Sequence, residues 1–519
     1  MVSESAGATR PRYILGIDAG TTSVKSVAFR LDGTIASVAR STLRIERGDD
    51  GRAEANMNHV WDATVSTIVA VVEALGDADV VAIGITGQGD GAWFVDGRMQ
   101  PLGNAALWLD GRPNARLTRW LADGRAQAVH QATGSPLFAG ALPVLLEELV
   151  TADPELMASI AFQLNCKDWL RYKLTGHIAT DPSEASRTYL DTGTGAYSLE
   201  LLEALGQSDF LNRLPVVEAP ESIGAVLNDH ASLVVGLPAG IPVVVGLVDT
   251  VAAGVGLGAV ADGDGFAILG TTGFVGVNRA SRVDVTHDAT IVLSTGRGVQ
   301  VLESFAPMAG TPNLDWVRDS LGFSSEQWPE VEARASKVLP GSGGVTYLPY
   351  GAPSGERAPF FDPAASATWM GMSVTTTASE LLRSVYEGIA YSLTECLDDL
   401  GVHGDLPLCG GGSDSDLLCA ILADVSGRRV IRQDEPEVGA RGVASLAMIA
   451  LGYASDLEDA VAKLAPRSTV FEPNVAHASV YAGGYETFIA ARNALRPIWP
   501  ALRGQRARSS SLGSAQEGT

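Results

Sequence analysis

The sequence predicts an α/β protein that divides into two large domains, and three observations support this. The chain has 519 residues, more than a single hydrophobic core usually holds. Apolar residues make up 46% of it and charged residues only 19%, a balance typical of globular proteins with buried strands. Strand-like runs such as YILGID, VKSVAF and VVAIGIT alternate with helical patterns such as residues 58–75 and 142–149, which is the alternation of an α/β fold.

The two ends and one Gly-rich stretch set the predicted domain limits. Residues 1–11 are polar and residues 501–519 are rich in Ser, Gly and Arg, so we expect both ends to be disordered. The stretch GVGLGAVADGDG at residues 254–265 is typical of a hinge. We therefore predict a first domain over 12–257 and a second over 258–500.

Charge and composition exclude several classes of protein. The net charge of −23 argues against nucleic acid and anionic membranes as partners, because both require clustered Lys and Arg. Residues 232–261 are long enough to cross a bilayer, but prolines and glycines interrupt them, so we interpret them as buried strands and loops. The four cysteines lack metal-binding or C-x-x-C spacing and the start of the chain lacks an apolar signal segment. We expect a reduced, cytoplasmic protein.

A weak internal duplication is the first sign of function. Residues 13–29 are strand, turn, strand around D-A-G-T-T-S, and residues 266–277 repeat the pattern around G-T-T-G. The turns contain Gly20, Thr21 and Thr22 in the first copy and Gly270, Thr271 and Thr272 in the second. Backbone N–H groups and hydroxyls at such tips bind phosphate oxygens, although either tip alone is also an ordinary tight turn. Two copies predict one phosphate-binding hairpin per domain, facing a shared nucleotide.

Further motifs narrow the interpretation. The first hairpin, with Asp18 before its turn, resembles the phosphate-binding element of the sugar kinase, actin and heat-shock ATPase superfamily. Other segments resemble those of the FGGY carbohydrate kinases, in family order: W-L-D-G-R at 108–112, L-N-C-K-D-W-L-R-Y-K-L-T-G at 164–176 with A-T-D at 179–181, S-G-E-R at 354–357 with D-P at 362–363, E-G at 387–388, and G-G-G-S at 410–413 with L-A-D at 422–424. The resemblance covers residues 13 to 450, and it is closest to the erythritol kinase, L-xylulose kinase and xylulokinase branches.

This resemblance implies a fold, cofactors and an activity. It implies two ribonuclease-H-like domains around a cleft, with the sugar bound mainly by the first domain and adenosine mainly by the second. The implied reaction is transfer of the γ-phosphate of ATP, with Mg²⁺, to a hydroxyl of a small sugar or polyol. Family members are often dimers or tetramers, so a homodimer is possible.

Phosphoryl transfer needs a metal ligand, donors to the phosphates and a base, and the sequence has candidates for each. Asp18 follows an apolar strand and is the candidate magnesium ligand; the alternative is a turn-stabilising Asx residue. Lys25 is either a phosphate-binding cation or a solvated strand lysine. Asp249 is an isolated carboxylate in an apolar run, which is costly without a function or a firm partner. It matches the position of the family's catalytic base.

The adenosine site is expected in the second domain. Gly410, Gly411, Gly412 and Ser413 follow an apolar strand and precede a helix, where glycines would let the adenine and ribose lie against backbone. Without the resemblance, the triplet is only a loop that begins a helix. Gly439 is predicted to close the adenosine pocket.

The acceptor site is expected to comprise Gln88, Asp90, Trp108, Asp110 and Asp249. Residues 87–91 have the sequence G-Q-G-D-G, whereas xylulokinases are similar to G-Q-M-H-G and glycerol kinases to N-Q-R-E-T in this run. The Asp90 carboxylate can accept hydrogen bonds from vicinal hydroxyls. We expect the missing side chain at Gly89 to enlarge the pocket. These departures favour erythritol over xylulose and glycerol.

The main alternative from another class is a nucleotide-gated scaffold of the actin or heat-shock type, which shares the fold but transfers phosphate only to water. The predicted acceptor residues and the run at 354–357 argue against a scaffold, because they have no obvious task there. A Rossmann dehydrogenase is excluded because no G-x-G-x-x-G motif follows an early strand.

Overall fold

The computed structural model describes residues 10–77, 79–282 and 287–516. The strands of the first lobe are β1 (Arg12–Ala19), β2 (Ser23–Arg30), β3 (Ile35–Thr42), β4 (Glu46–Arg47), β5 (Ala53–Ala55), β6 (Asp79–Gly87), β7 (Trp93–Val95), β8 (Ala105–Ala106), β9 (Phe162–Leu164), β10 (Ala179–Thr180), β11 (Leu190–Asp191), β12 (Ala196–Tyr197), β13 (Val216–Val217) and β14 (Leu247–Val248). Its helices are α1 (Met57–Leu75), α2 (Asn114–Asp123), α3 (Arg125–Thr133), α4 (Leu142–Ala152), α5 (Leu156–Ser159), α6 (Cys166–Thr175), α7 (Pro182–Ala185), α8 (Leu199–Ala204), α9 (Asp229–Val235) and α10 (Asp249–Gly256).

The second lobe follows α10 in the chain. Its strands are β15 (Gly265–Leu269), β16 (Gly273–Arg279), β17 (Ile291–Ser294), β18 (Val301–Phe305), β19 (Thr346–Leu348), β20 (Thr368–Met370), β21 (Leu406–Cys409), β22 (Val430–Gln433) and β23 (Ser468–Phe471). Its helices are α11 (Pro312–Ser320), α12 (Trp328–Ser336), α13 (Ala378–Asp399), α14 (Asp416–Ser426), α15 (Val438–Ala450), α16 (Leu457–Leu464), α17 (Ala478–Leu495) and α18 (Trp499–Gln516).

Each lobe is built on one large mixed sheet. The first sheet has the order β14-β6-β1-β2-β3, in which β1 runs parallel to β6 and antiparallel to β2, and β6 runs parallel to β14. The second has the order β17-β18-β16-β15-β21-β22-β23, with β15 antiparallel to β16 and parallel to β21. In both sheets, therefore, the first strand forms a hairpin with the next and pairs in parallel with a later one. This repeat accounts for the duplication in the sequence.

Local sequence signals fix the ends of the long helices. α1 begins after Asn56, whose side chain accepts a hydrogen bond from the His59 N–H, and it ends at Gly76, which has a φ of 63°. α13 begins with a capping box between Thr377 and Glu380. Most residues of α15 are buried, so the helix has no solvent-facing polar side. It therefore lies inside the molecule.

The two lobes are joined by close packing of α10 against α15. A Cβ atom on Gly256 of α10 would lie 1.9 Å from the Val438 carbonyl oxygen, and one on Gly442 of α15 would lie 2.0 Å from the Ala252 carbonyl oxygen. The other side of α15 rests on the first sheet, where Cβ atoms on Gly16 and Gly84 would each come within 2.5 Å of an α15 carbonyl oxygen. Backbone thus contacts backbone on both sides of α15, and only glycine permits this.

A second contact between the lobes lies at β17, an edge strand. The Ser135 hydroxyl donates to the Val292 carbonyl and accepts from the Val292 N–H, both at 2.9 Å. The Ser294 N–H donates to the Ser186 hydroxyl at 3.1 Å. Beside them, the Arg282 guanidinium donates to carbonyl groups at the end of α3, at 2.8 Å for Ala132. Side chains of the first lobe therefore cover the free edge of the second sheet.

Several expectations can be compared with these elements. Residues 232–261 form α9, β14 and α10 rather than one span, and the described chain contains no helix long and apolar enough to cross a membrane. All four cysteines are free and buried. The tail differs from its prediction, because α18 continues to Gln516, and its first residue, Trp499, is fully buried against Tyr350 and Phe360. The predicted disorder of 1–9 and 517–519 lies outside the described residues.

The packing of α15 predicts opposite effects for the same substitution at two helical glycines. Gly442→Ala places a methyl group into the backbone of α10 and should destabilise the protein by about 1–3 kcal/mol. Gly483→Ala, in α17, meets nothing within 4 Å and should stabilise it by up to about 1 kcal/mol. Thermal unfolding of the three proteins checks this; a Gly442→Ala variant at least as stable as wild type would contradict the proposed packing.

Candidate active site

Three parallel strands end at one edge of the first sheet and bring polar residues together there. In the register, Thr86 of β6 lies between Asp18 of β1 and Leu247 of β14. Gln88 follows the end of β6, and Asp249 follows the end of β14 as the first residue of α10. Because carboxyl ends of parallel strands meet at one edge, three residues distant in sequence share one site.

Asp249 lies in a buried environment that raises the pKa of its carboxyl group. Burial raises its pKa from the ordinary value of 3.8 to about 7, and the charges of Asp18 and Asp90 add to this. One hydrogen bond opposes the shift, because the Thr250 N–H donates to Asp249 Oδ1 at 2.6 Å. Such a group can take up a proton near neutral pH.

Asp18 lies beside a charged pair that links the lobes. Burial raises its pKa, while the Lys25 ammonium opposes the shift. Lys25 Nζ lies 2.8 Å from Glu437 Oε2, at the residue before α15. Gly439, in the first turn of α15, contacts Asp18, since a Cβ there would lie 3.0 Å from Asp18 Oδ2. A Cβ on Gly439 would thus lie nearest to Asp18 and Thr86, so this glycine lies beside the aspartate at the sheet edge.

The donor set around Asp18 suits a magnesium ion held jointly with phosphate. Among residues 10–77, 79–282 and 287–516, no three His, Cys, Asp or Glu side chains are arranged to hold a metal. Magnesium is commonly held by one or two carboxylates, water and substrate phosphates, without a cage of protein ligands. The carboxylate of Asp18, near the end of β1 and just before the first hairpin tip, fits that mode of binding.

The two threonines of the first hairpin tip have different surroundings: Thr21 is hydrogen bonded to other side chains, and Thr22 is exposed. The Thr21 hydroxyl donates to Gln88 Oε1 at 3.0 Å and accepts from the Trp108 indole N–H at 3.1 Å. It is therefore engaged with predicted acceptor residues instead of facing phosphate. Thr22 is exposed, and its hydroxyl and the backbone N–H groups of the tip remain as candidate phosphate donors.

Hydrogen bonds from Thr311 stabilise the second hairpin tip. Thr271 and Thr272 are exposed, while the Thr311 N–H and hydroxyl both donate to the Gly270 carbonyl, at 2.9 and 3.0 Å. The loop before Thr311 is held by Glu356, a fully buried residue whose carboxylate accepts from the Met308 and Arg357 N–H groups. Glu356 thus has a structural task, which corrects the expectation that the run at 354–357 makes sense only in an acceptor site.

The glycine triplet is shaped by contact with this second hairpin. Gly410 has a φ of 93°, and Cβ atoms on Gly410 and Gly412 would lie 2.5 and 2.6 Å from atoms of Leu269. A Cβ on Gly411 would meet nothing within 4 Å. The Ser413 hydroxyl donates to the Gly410 carbonyl at 2.7 Å. Gly411 is therefore the position of the four that faces open space, and the other three position the loop beside the phosphate hairpin.

The turn at residues 88–90 carries buried polar atoms that lack partners. Asp90 has a φ of 62°, and its Oδ2 accepts from Arg187 Nε at 3.1 Å. Asp90 Oδ1 and Gln88 Nε2 are buried without a hydrogen-bond partner among the described residues. Buried polar atoms normally have partners, so these two indicate a ligand site.

Two acceptor-site expectations are wrong in their physical detail. A Cβ on Gly89 would lie 2.6 Å from Val248 Cγ2, so the missing side chain admits Val248 and does not enlarge the pocket. The Asp110 side chain has no exposed surface, and its oxygens accept from Arg112 and from the Ala53 N–H. Asp110 therefore orders the loop that presents Trp108, which is 37% exposed. The Asp110 carboxylate itself is not accessible to an acceptor.

Sequence reasoning missed a charged cluster below this turn. Lys167 and Asp168 lie within the segment used as a family signature, and Lys167 Nζ is 2.7 Å from Asp168 and 2.8 Å from Asp181. Arg187, the partner of Asp90, was also missed. Fully buried charges must be paired, and the adjacent Lys and Asp at the start of α6 are oppositely charged, so they were a usable signal. Nothing near Arg187 in sequence indicates Asp90.

Comparison with known proteins agrees with this geometry. Residues 13–256 match the N-terminal domain, and residues 265–451 the C-terminal domain, of the FGGY family of carbohydrate kinases. The chain is 31% identical to erythritol kinase of Brucella abortus (strain 2308) over 510 residues, covering 94% of this chain and 97% of that protein. It is 28% identical to L-xylulose/3-keto-L-gulonate kinase of Escherichia coli (strain K12), covering 92% and 96%.

A solved structure supports the fold. The gluconate kinase of Lactobacillus acidophilus superposes with a TM-score of 0.88 at 22% identity, covering 95% of this chain and all of that one. The two-lobed α/β fold is thus the ribonuclease-H-like, actin-like fold of sugar kinases. With both family domains present in order, and with a relative above 30% identity along nearly its whole length, the chain belongs to the FGGY family of carbohydrate kinases.

Proposed function

We propose that this kinase transfers the γ-phosphate of ATP to a hydroxyl of a small, uncharged polyol, with erythritol as the preferred acceptor. The supporting observation is the position of Asp249 at the same sheet edge as a buried turn whose Gln88 and Asp90 carry polar atoms without partners. A base and an unfilled set of hydrogen-bonding groups side by side are what transfer to an alcohol requires. L-xylulose and D-xylulose are the alternative acceptors.

In this mechanism, Asp249 accepts the proton of the attacking hydroxyl. Its raised pKa matches proton transfer near neutral pH, and the Thr250 N–H fixes the orientation of the carboxylate. Asp18 would hold a magnesium ion, which would supply positive charge against the phosphates. Lys25 is held by Glu437 and so contributes a fixed positive charge beside Asp18.

Backbone groups of both lobes are proposed to bind the nucleotide. The tips at 20–22 and 270–272 offer N–H groups and the hydroxyls of Thr22, Thr271 and Thr272 to the phosphates. The open face at Gly411 would lie against the adenosine. Closure of the lobes then excludes water, so that transfer to the polyol outpaces hydrolysis.

The charges around the turn favour an uncharged acceptor. The charges of Asp18 and Asp90 lie close enough to Asp249 to raise its pKa. The cation at the turn, Arg187, is already paired with Asp90 at 3.1 Å. A carboxylate on the acceptor would be repelled here. The site thus favours erythritol over an acid such as the 3-keto-L-gulonate in the name of one relative.

The scaffold alternative fits these observations less well. A protein that transfers phosphate only to water needs no buried, partly unsatisfied polar turn next to its base, and such a turn is costly. If ATP hydrolysis were as fast without any polyol as with it, the scaffold interpretation would be favoured.

The acceptor panel is the direct test. ADP formation with Mg²⁺ and ATP should have its highest kcat/KM with erythritol, when compared with L-xylulose, D-xylulose, ribitol, arabinitol, glycerol and gluconate. We expect gluconate to be the poorest, because of repulsion by the carboxylates. Higher efficiency on xylulose or glycerol would contradict the erythritol assignment, and higher efficiency on gluconate would contradict the uncharged acceptor.

Asp249→Asn should separate catalysis from folding. Loss of a general base should lower kcat on the order of 10²- to 10⁴-fold. The amide oxygen can still accept from the Thr250 N–H, so the fold should persist. A variant that keeps more than a tenth of wild-type kcat would argue against the base role.

The same variant should show a pH-dependent gain in stability. The pKa of Asp249 rises from 3.8 in a solvated carboxyl to about 7 on folding, so the unfolded chain releases this proton at lower pH than the folded chain. The folded wild type is therefore progressively disfavoured as pH rises from about 4 to about 7. Without nucleotide or magnesium, Asp249→Asn should have a higher Tm than wild type at pH 8 and a similar Tm at pH 4. An equal difference at both would contradict the raised pKa.

A further inference from the structure

Glu184, in α7, is a buried carboxyl group that the described structure leaves without a partner. Its side chain is fully buried, and neither Oε1 nor Oε2 has a hydrogen-bond partner among the described residues. Buried carboxyl groups are costly unless they are hydrogen bonded. A group of this kind close to a ligand site points to the ligand as the missing partner.

Lys167 and Arg187, the cations considered as partners for Glu184, are engaged elsewhere. Lys167, whose charge affects Glu184, lies 2.8 Å or less from the carboxylates of both Asp168 and Asp181. Arg187, three residues along the chain, pairs with Asp90. Burial raises the pKa of Glu184 well above its usual range and so favours the protonated carboxyl group, which can donate as well as accept.

Glu184 faces the acceptor turn at its centre. Its Oε2 lies 3.4 Å from the position that a Cβ on Gly89 would take. The residues on either side of Gly89 are Gln88 and Asp90, with the unpartnered donor Nε2 and the unpartnered acceptor Oδ1. Glu184 and the two residues that flank Gly89 therefore carry four buried polar atoms without partners among the described residues.

We propose that Glu184 is a specificity-determining residue of the acceptor site, whose carboxyl group hydrogen bonds to a hydroxyl of the polyol next to those bound by Gln88 and Asp90. Each hydroxyl of a polyol both donates and accepts, and the three residues together offer both kinds of partner. The inference rests on the proposed function, since it takes a polyhydroxy phosphoryl acceptor as the ligand.

Two variants of Glu184 test the hydrogen bond. Glu184→Leu keeps much of the bulk but has no polar atom, and it should raise the acceptor KM about tenfold, with kcat and the ATP KM changed by less than about threefold. Glu184→Gln has a donor and an acceptor and should keep the acceptor KM within about threefold of wild type. Steady-state kinetics and Tm are measured on all proteins with the acceptor that wild type uses best.

Asp168→Asn is the matched control, because Asp168 is a buried carboxylate of the same cluster whose partner is Lys167. It should lower Tm and leave the acceptor KM unchanged. The inference is overturned if Glu184→Leu lowers Tm without raising the acceptor KM, or if Glu184→Gln raises the KM as much as Glu184→Leu.

Failure of the proposed function has a different signature. If the best acceptor of the wild type is a charged sugar, the proposed function is wrong, and the two Glu184 variants are compared on that substrate. An unchanged KM there overturns the role of Glu184 as well, whereas a selective increase with Glu184→Leu upholds it.

Discussion

The packing of α10 against α15 is the contact on which the active site depends. Gly256 and Gly442 let the two backbones touch, and α15 in turn rests on β1 and β6. Gly256, at the end of α10, contacts Val438, the first residue of α15, and the residue before it, Glu437, pairs with Lys25 of the first sheet. Residues from both lobes therefore meet at the aspartates without a long loop. A larger residue at either glycine would move Asp249, the proposed base, relative to the two hairpin tips.

Burial is the second constraint, and it opposes stability. Asp18, Asp90 and Asp249 all have raised pKa values for the same first reason, which is loss of solvation. Each is costly in the absence of ligands, and each is suited to a task in their presence: to hold a metal, to accept hydrogen bonds or to take a proton. The charges that hold the surrounding framework, such as Lys167 between Asp168 and Asp181, are by contrast paired within the protein.

The sequence predicted the parts of the site that depend on local pattern. The two Gly-Thr hairpins and the aspartates that follow apolar strands were identified because strand, turn and strand are contiguous in sequence. The resemblance to one family supplied the predicted activity, cofactors and residue roles. The role of Asp110 was missed because its partners, Arg112 and the Ala53 N–H, are revealed only by the fold. Gly89 was misjudged for the same reason, since Val248 is 159 positions away in sequence but adjacent in space. Composition also failed at the tail, where Trp499 anchors a helix that begins before the Ser- and Arg-rich residues.

The edge strand β17 has a consequence for the behaviour of the protein in solution. It is covered by the hydroxyls of Ser135 and Ser186, three hydrogen bonds in all, and not by another strand. A separation of the lobes would remove this cover and expose free N–H and C=O groups, which pair readily with strands of other molecules. An open form would thus be the form prone to self-association. Substrates that hold the cleft closed would act as protectants during concentration and storage, by an effect separate from their part in the reaction.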